Sequence, residues 1–158
     1  MAVQRTLVLL KPDAVQRGLV GAILSRFESK GLKLLGLKLR QFEPSVFEAH
    51  YEPHKSKPFY PGLVKYMTSA PVVALALEGV DAIEVVRNMM GATNSRKAAP
   101  GTIRGDLGMS FSNNLVHGSD SPESAQRELG LFFGDARELV SWTPVTTPWI
   151  YNVAEELA

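Results

Sequence analysis

Hydrophobic positions along this chain come in short blocks whose spacing alternates between unbroken runs and helical stripes. Thr6-Leu7-Val8-Leu9-Leu10 is continuous and stops at Lys11-Pro12-Asp13, the pattern of a central strand ending in a loop. Val20, Ile23, Leu24 and Phe27 then recur at helical spacing, with Lys30 in the last turn and Gly31 as the stop. Leu32 to Phe42 reads as a second strand, with a bend or bulge at Gly36. Residues 44–69 hold short helical pieces broken by Pro53, Pro58 and Pro61. Ala70 to Leu77 is another near-uniform apolar strand, and Ala82, Val85, Val86, Met89 and Met90 form one face of a second long helix. Gly91 to Gly101 turns polar, a long surface loop. A strand is expected near Leu115-Val116, and Pro122 opens a third helix whose stripe is Ala125, Leu129 and Phe132. The tail from Ser141 is aromatic and rich in proline.

That order predicts an α/β (α+β) fold on the ferredoxin-like βαββαβ plan: a small antiparallel sheet, helices packed on one face, and a C-terminal extension. Such a fold leaves the chemistry open. A chain of 158 residues, 45% hydrophobic, suits one domain over 1–158 and is short for two. Net charge is +1, which gives no reason for avid non-specific nucleic-acid binding. Without cysteine there are no disulfides and no thiolate metal sites. No run approaches the roughly 18–20 apolar residues of a membrane span, and the first residues lack an apolar leader, so a cytoplasmic protein is expected.

The densest chemistry lies in Asn114-Leu115-Val116-His117-Gly118-Ser119-Asp120. It reads as an imidazole held on a turn before a helix, with hydroxyl, carboxylate and positive helix dipole nearby. Such a histidine is a candidate nucleophile for phosphate, against the plainer reading of a satisfied structural residue. Lys11 and Arg87 taken alone read more readily as solvated charges at element ends, while Phe59 could be core and Glu128 an exposed helix residue. Arg104-Gly105-Asp106 spells an adhesion tripeptide, which the missing leader argues against. His50 and His54 stand at i, i+4, but Pro53 interrupts them and no third ligand is evident, so a metal site there is not expected. The nucleotide-binding P-loop, dinucleotide and protein-kinase signatures are all missing from the sequence.

Read together, the motifs resemble those of nucleoside diphosphate kinases. Lys11-Pro12-Asp13, Tyr51, Pro58-Phe59, Arg87, Thr93-Asn94, Pro100-Gly101-Thr102-Ile103-Arg104, Asn114 to Asp120 and Ser124-Ala125-Gln126-Arg127-Glu128 follow in the family's order, from about residue 3 to Tyr151. The resemblance implies the reaction NTP + N′DP ⇌ NDP + N′TP, ping-pong through a phosphohistidine at His117. It implies that Glu128, with Ser119, holds the other ring nitrogen, and that Lys11 meets the ribose hydroxyl and γ-phosphate region. Arg87, Thr93 and Arg104 would take the outer phosphates, Asn114 the sugar 3′-hydroxyl, and Tyr51 a place beside His117. Phe59 would stack on the base. Mg²⁺ would ride on the nucleotide phosphates with no direct protein ligand, ATP would be the main donor, and the assembly would be a homo-oligomer, a hexamer before a tetramer. The loop 91–104 and the aromatic tail are the expected interface surfaces. Departures from the family pattern are Ser95 where proline is common, Asn113 where a base is usual, and Phe111 where a smaller apolar residue flanks the base. Phe111 therefore predicts a base held between two aromatic rings, with weak base selectivity. The tail after Tyr151 carries no readable role. Two other readings remain: a ferredoxin-like nucleic-acid-binding module, and a phosphohistidine protein that passes its phosphoryl group to another protein.

Overall fold

The computed structural model describes residues 2–158. Four strands, β1 (Val3–Leu10), β2 (Lys33–Arg40), β3 (Val72–Val80) and β4 (Val116–Gly118), form one antiparallel sheet in the order β2-β3-β1-β4. The ferredoxin-like plan is thus observed, with β1 running three residues further back than the apolar run suggests. Leu7 to Leu10 are fully buried because β1 is covered on both faces. Val8 and Leu10 meet α2 (Val20–Lys30) and α5 (Ala82–Met90) through Ile23, Phe27 and Val86. Leu7 and Leu9 meet α3 (Pro44–His50), α4 (Tyr60–Met67) and α7 (Pro122–Phe132) through Phe47, Met67 and Phe132. Helices on both faces replace the single helical face expected. An uninterrupted apolar strand requires that arrangement, since a one-sided sheet would alternate.

Local signals act where they stand. Gly31 ends α2 with φ 103°, a left-handed cap that glycine takes without cost. The bulge falls at Leu34/Gly36 in β2, where a Cβ on Gly36 would lie 2.8 Å from the Phe133 ring. Two short helices stand where the sequence suggests loop: α1 (Pro12–Gln16), opened by its proline, and α6 (Ile103–Leu107), capped by the Thr102 side chain accepting from Gly105 N. The tail lies along the far edge of the sheet. Val140 N and the Trp142 indole donate to the carbonyls of Leu35 and Leu34, and Val80 N donates to the Tyr151 hydroxyl. Helices α8 (Thr147–Ile150) and α9 (Val153–Glu156) complete it.

Candidate active site

The site grows from the short edge strand. β4 pairs with the end of β1, Leu9 opposite His117. His117 is therefore a strand residue and not the turn residue expected. Its neighbours Val116 and Gly118 point into the opposite core, and a Cβ on Gly118 would sit 2.6 Å from Met90 Sδ. The entry to β4 is bent: Leu115 takes φ 73°, unfavourable for a branched side chain. Asp13 holds it there, accepting Leu115 N at 3.1 Å on one oxygen and the Tyr66 hydroxyl on the other. The Leu115 carbonyl in turn accepts Lys11 N at 2.8 Å.

Alternation along β4 turns the His117 ring toward α7. Its Nε2 lies 2.9 and 3.0 Å from the two carboxylate oxygens of Glu128, which is 3% exposed. Glu128 is the buried anchor of the site, against its plain reading as an exposed helix residue. Ser119 does not reach the ring: its hydroxyl donates to Glu128 at 3.2 Å and accepts Leu7 N at 3.3 Å. It positions the carboxylate, correcting the expectation that it shares the imidazole. A proton on Nε2 donated to Glu128 leaves Nδ1 with the lone pair, and Nδ1 has no hydrogen-bond partner among the described residues.

His117 lines a cleft of about 380 Å³ that Lys11, Arg87, Arg104 and Arg127 make cationic. Lys11 Nζ donates to Asn114 Oδ1 at 2.8 Å, and burial, reinforced by Arg104, lowers its amine to about 8, with Asp13 opposing. Arg87 donates to the Gly118 carbonyl at 3.2 Å. Arg104 donates to the carbonyls of Asn114, Gly91 and Val116, so it braces the loop as well as charging the cleft; burial, then Arg87, lowers it to about 10. Asn114 is tied to Thr93 through Nδ2 and the Thr93 carbonyl at 3.0 Å. Tyr51 is buried at the same wall, its hydroxyl pushed up by burial and by Glu128. Fixed cations around an unbonded imidazole nitrogen suit the transfer of an anionic group.

A sequence model of the family described as nucleoside diphosphate kinase matches residues 4–137. A nucleoside diphosphate kinase of Rhodopirellula baltica is 58% identical over 147 residues, 93% of this chain and 96% of that protein. One from a Synechococcus strain is 54% identical over 149 residues, 94% of this chain and 99% of that protein. The solved structure of a halophilic nucleoside diphosphate kinase from Halobacterium salinarum in complex with CDP superposes with a TM-score of 0.91 at 48% identity, covering 95% of this chain and 99% of the other. The chain belongs to the nucleoside diphosphate kinase family.

Its function is accordingly that of a nucleoside diphosphate kinase, an enzyme that moves phosphate between nucleotides, and neither the nucleic-acid module nor the protein phosphotransfer reading is favoured. Phosphate transfer between nucleotides in this family commonly uses a divalent metal. The free carboxylate at the cleft wall is Asp120, held below the usual carboxylate range by the Ser124 hydroxyl, then by Arg87 and His117, while Glu128 is committed to His117. A single open carboxylate in a cleft lined by four cations makes no oxygen cage for an Mg²⁺-type ion, so a metal of that kind fits better as one that arrives on the nucleotide phosphates. No helix among the described residues is long and apolar enough to cross a membrane.

Phe59 and Phe111 stand apart from this wall, 53% and 57% exposed, with Phe59 tilted against His54 at 5.6 Å. The sequence does not give the places of His50 beside His117, of Arg127 between α3 and α7, or of Asp13 at Leu115. His50 ends α3 and its ring stands edge-on to His117, centroids 4.6 Å apart. Burial first, then His117 and the cations Arg127 and Lys11, lower it to about 2. Arg127 donates to the carbonyls of Ala49 and His50, fastening α3 to α7. His50 adjoins Tyr51 and Arg127 lies in the Ser124–Glu128 motif beside Glu128, which are the signals the sequence offers for them.

Proposed function

We propose that this kinase carries the phosphoryl group on His117 Nδ1. The observation that supports this reading most is the Glu128 carboxylate at Nε2, which leaves Nδ1 as the basic nitrogen at a cationic cleft. In the first half-reaction the Nδ1 lone pair attacks the γ-phosphorus of the nucleoside triphosphate. The bond to the β,γ-bridging oxygen breaks, and its electron pair leaves with the diphosphate. The ring becomes cationic, and the buried Glu128 anion offsets that charge. In the second half a terminal oxygen of an acceptor diphosphate attacks the same phosphorus, and the P–N electrons return to Nδ1.

The remaining roles are read in the same frame. Lys11, Arg87, Thr93 and Arg104 hold the phosphates, Asn114 and Lys11 the sugar hydroxyls, and Tyr51 packs beside the transferring group. Phe59 and Phe111 take the base. Mg²⁺, brought by the nucleotide, supplies further neutralisation of phosphate oxygens. ATP is the main donor in this reading. The exposed Leu37 and Leu39 on edge strand β2, with Trp149 90% exposed on the tail, support a homo-oligomer, for which a hexamer is preferred to a tetramer. Both cores share one sheet, which supports residues 1–158 as a single domain, and a cytoplasmic setting suits the substrates.

Incubation with γ-labelled ATP and Mg²⁺, followed by GDP, tests the reading. Wild type should take up alkali-stable, acid-labile label that GDP discharges as GTP, and His117→Ala should take up none. Label retained by His117→Ala, or GTP formed without a labelled protein, would refute it.

A further inference from the structure

We propose that His50, His117 and Glu128 form a site for a transition-metal cation of the zinc type, and that a cation bound there silences His117. His50 is 4% exposed, and neither of its ring nitrogens has a hydrogen-bond partner among the described residues. Buried imidazoles ordinarily find partners, so this side chain is spare ligand capacity aimed at the nucleophile. One ligand atom each from His50, His117 and Glu128 lies within 4.8 Å of the other two. Two imidazoles and a carboxylate, with the open side on the cleft, make the three-ligand set that zinc accepts with a water as fourth ligand. Bonds of about 2.1 Å to a tetrahedral centre put ligand atoms roughly 3.4 Å apart, so the trio closes by at most about 1.4 Å. His117 and Glu128 are already 2.9 Å apart, so His50 makes most of the movement, and no hydrogen bond ties its ring down. The set is nitrogen-rich and partly preformed, which favours zinc over the oxygen-seeking, octahedral Mg²⁺. The structure thus supplies the third and second ligands that the His50–His54 spacing lacked, and they come from other elements.

The consequence follows from the proton. When the cation takes Nε2 of a neutral His117, the proton that Nε2 donated to Glu128 passes to Nδ1. No proton leaves the protein, but Nδ1 loses the lone pair that attacks phosphorus. This silencing rests on His117 being the phosphoryl carrier, whereas metal binding does not.

The test is calorimetric titration of the intact, nucleotide-free protein with Zn²⁺, and visible spectroscopy with Co²⁺, for wild type, His50→Gln and His117→Gln, each checked for cooperative melting. Expected are one ion per chain, the intense visible bands of four-coordinate cobalt, and at least about tenfold weaker binding in both variants. Absence of binding, or wild-type affinity in either folded variant, overturns the site. Uptake of γ-label should then fall in proportion to zinc occupancy and recover after chelation and fresh Mg²⁺. Undiminished uptake by the zinc-loaded protein overturns the silencing, while absence of label without zinc would instead be the failure of the carrier reading.

Discussion

Glu128 presents both carboxylate oxygens to a single atom, His117 Nε2, at 2.9 and 3.0 Å, from a position closed to solvent. A buried anion is costly unless paired, so the pair and Ser119 stand together. In the proposed mechanism the carboxylate fixes the tautomer and opposes the positive charge that forms on the ring. Glu128→Gln keeps the shape and removes the charge. Phosphohistidine formation from ATP, followed by rapid quench, should slow by about tenfold to a hundredfold in that variant. An unchanged single-turnover rate would show that the carboxylate has no part in the step.

Lys11 is a cation close to losing its charge. Its amine, lowered to about 8 chiefly by burial, stays protonated in the unfolded chain up to the ordinary value of 10.5. Between those values the unfolded state binds more protons, so the Lys11 contribution makes stability rise with pH there. Phosphate contact needs the protonated form and runs the other way. ADP affinity should weaken above pH about 8, approaching tenfold per unit, until bound phosphate itself holds the proton on. Lys11→Gln should bind more weakly throughout with a flatter profile. A wild-type profile as flat as that of the variant would remove Lys11 from the phosphate contact.

Much of this architecture was legible because local rules and tertiary packing agree. Gly31, Gly36 and Pro122 act as the caps and bulge their chemistry predicts, and the helical stripes at Val20–Phe27 and Ala125–Phe132 face the cores. Local signals fall short where a long-range pairing decides. β4 is three residues long and surrounded by turn-forming residues, so only its register with Leu9 reveals His117 as a strand residue. Ser119 looks like a partner for the imidazole by proximity in sequence, but its hydroxyl is drawn to Leu7 N and Glu128. His50 carries no periodic signal, since its meaning depends on the end of α3 setting its ring edge-on to His117 of β4. The expectation of helices on one face fails for another reason: the unbroken Leu7–Leu10 run itself calls for cover on both sides, and the ferredoxin-like plan overrode it.

His50 makes a prediction about acid stability. Burial above all, then the facing His117, Arg127, Lys11 and His54, lowers it to about 2, so it remains neutral in the fold while an unfolded histidine protonates below about 6.5. The unfolded state therefore binds more protons across that window, and stability falls as pH drops through it, by roughly 1.4 kcal/mol per unit from this residue. Urea unfolding between about pH 6.5 and 4.5 should show that slope in wild type. His50→Asn should be less stable near neutrality, because the buried ring is lost, yet lose less stability with acid. Equal slopes in the two proteins would place the acid sensitivity elsewhere.

If Phe59 and Phe111 take the base as proposed, they decide how bases are chosen. Each leaves more than half its surface open, an unfavourable state for an aromatic side chain that a flat ligand would relieve. Every nucleobase offers a π-face, so a grip built on stacking binds them all and discriminates little, unlike hydrogen bonds to base edges. Loss of one stacking partner costs about 1–3 kcal/mol, so Phe111→Ala should weaken ADP, GDP, CDP and UDP by similar factors of about tenfold or more. Phe59→Ala should do the same, and the double variant should lose less than the product if both rings press on one base. Calorimetric titration of the four diphosphates decides it. Comparable affinity in wild type and Phe111→Ala would leave Phe59 as the only ring on the base, and a loss confined to one base would mean that the contact reads base edges after all.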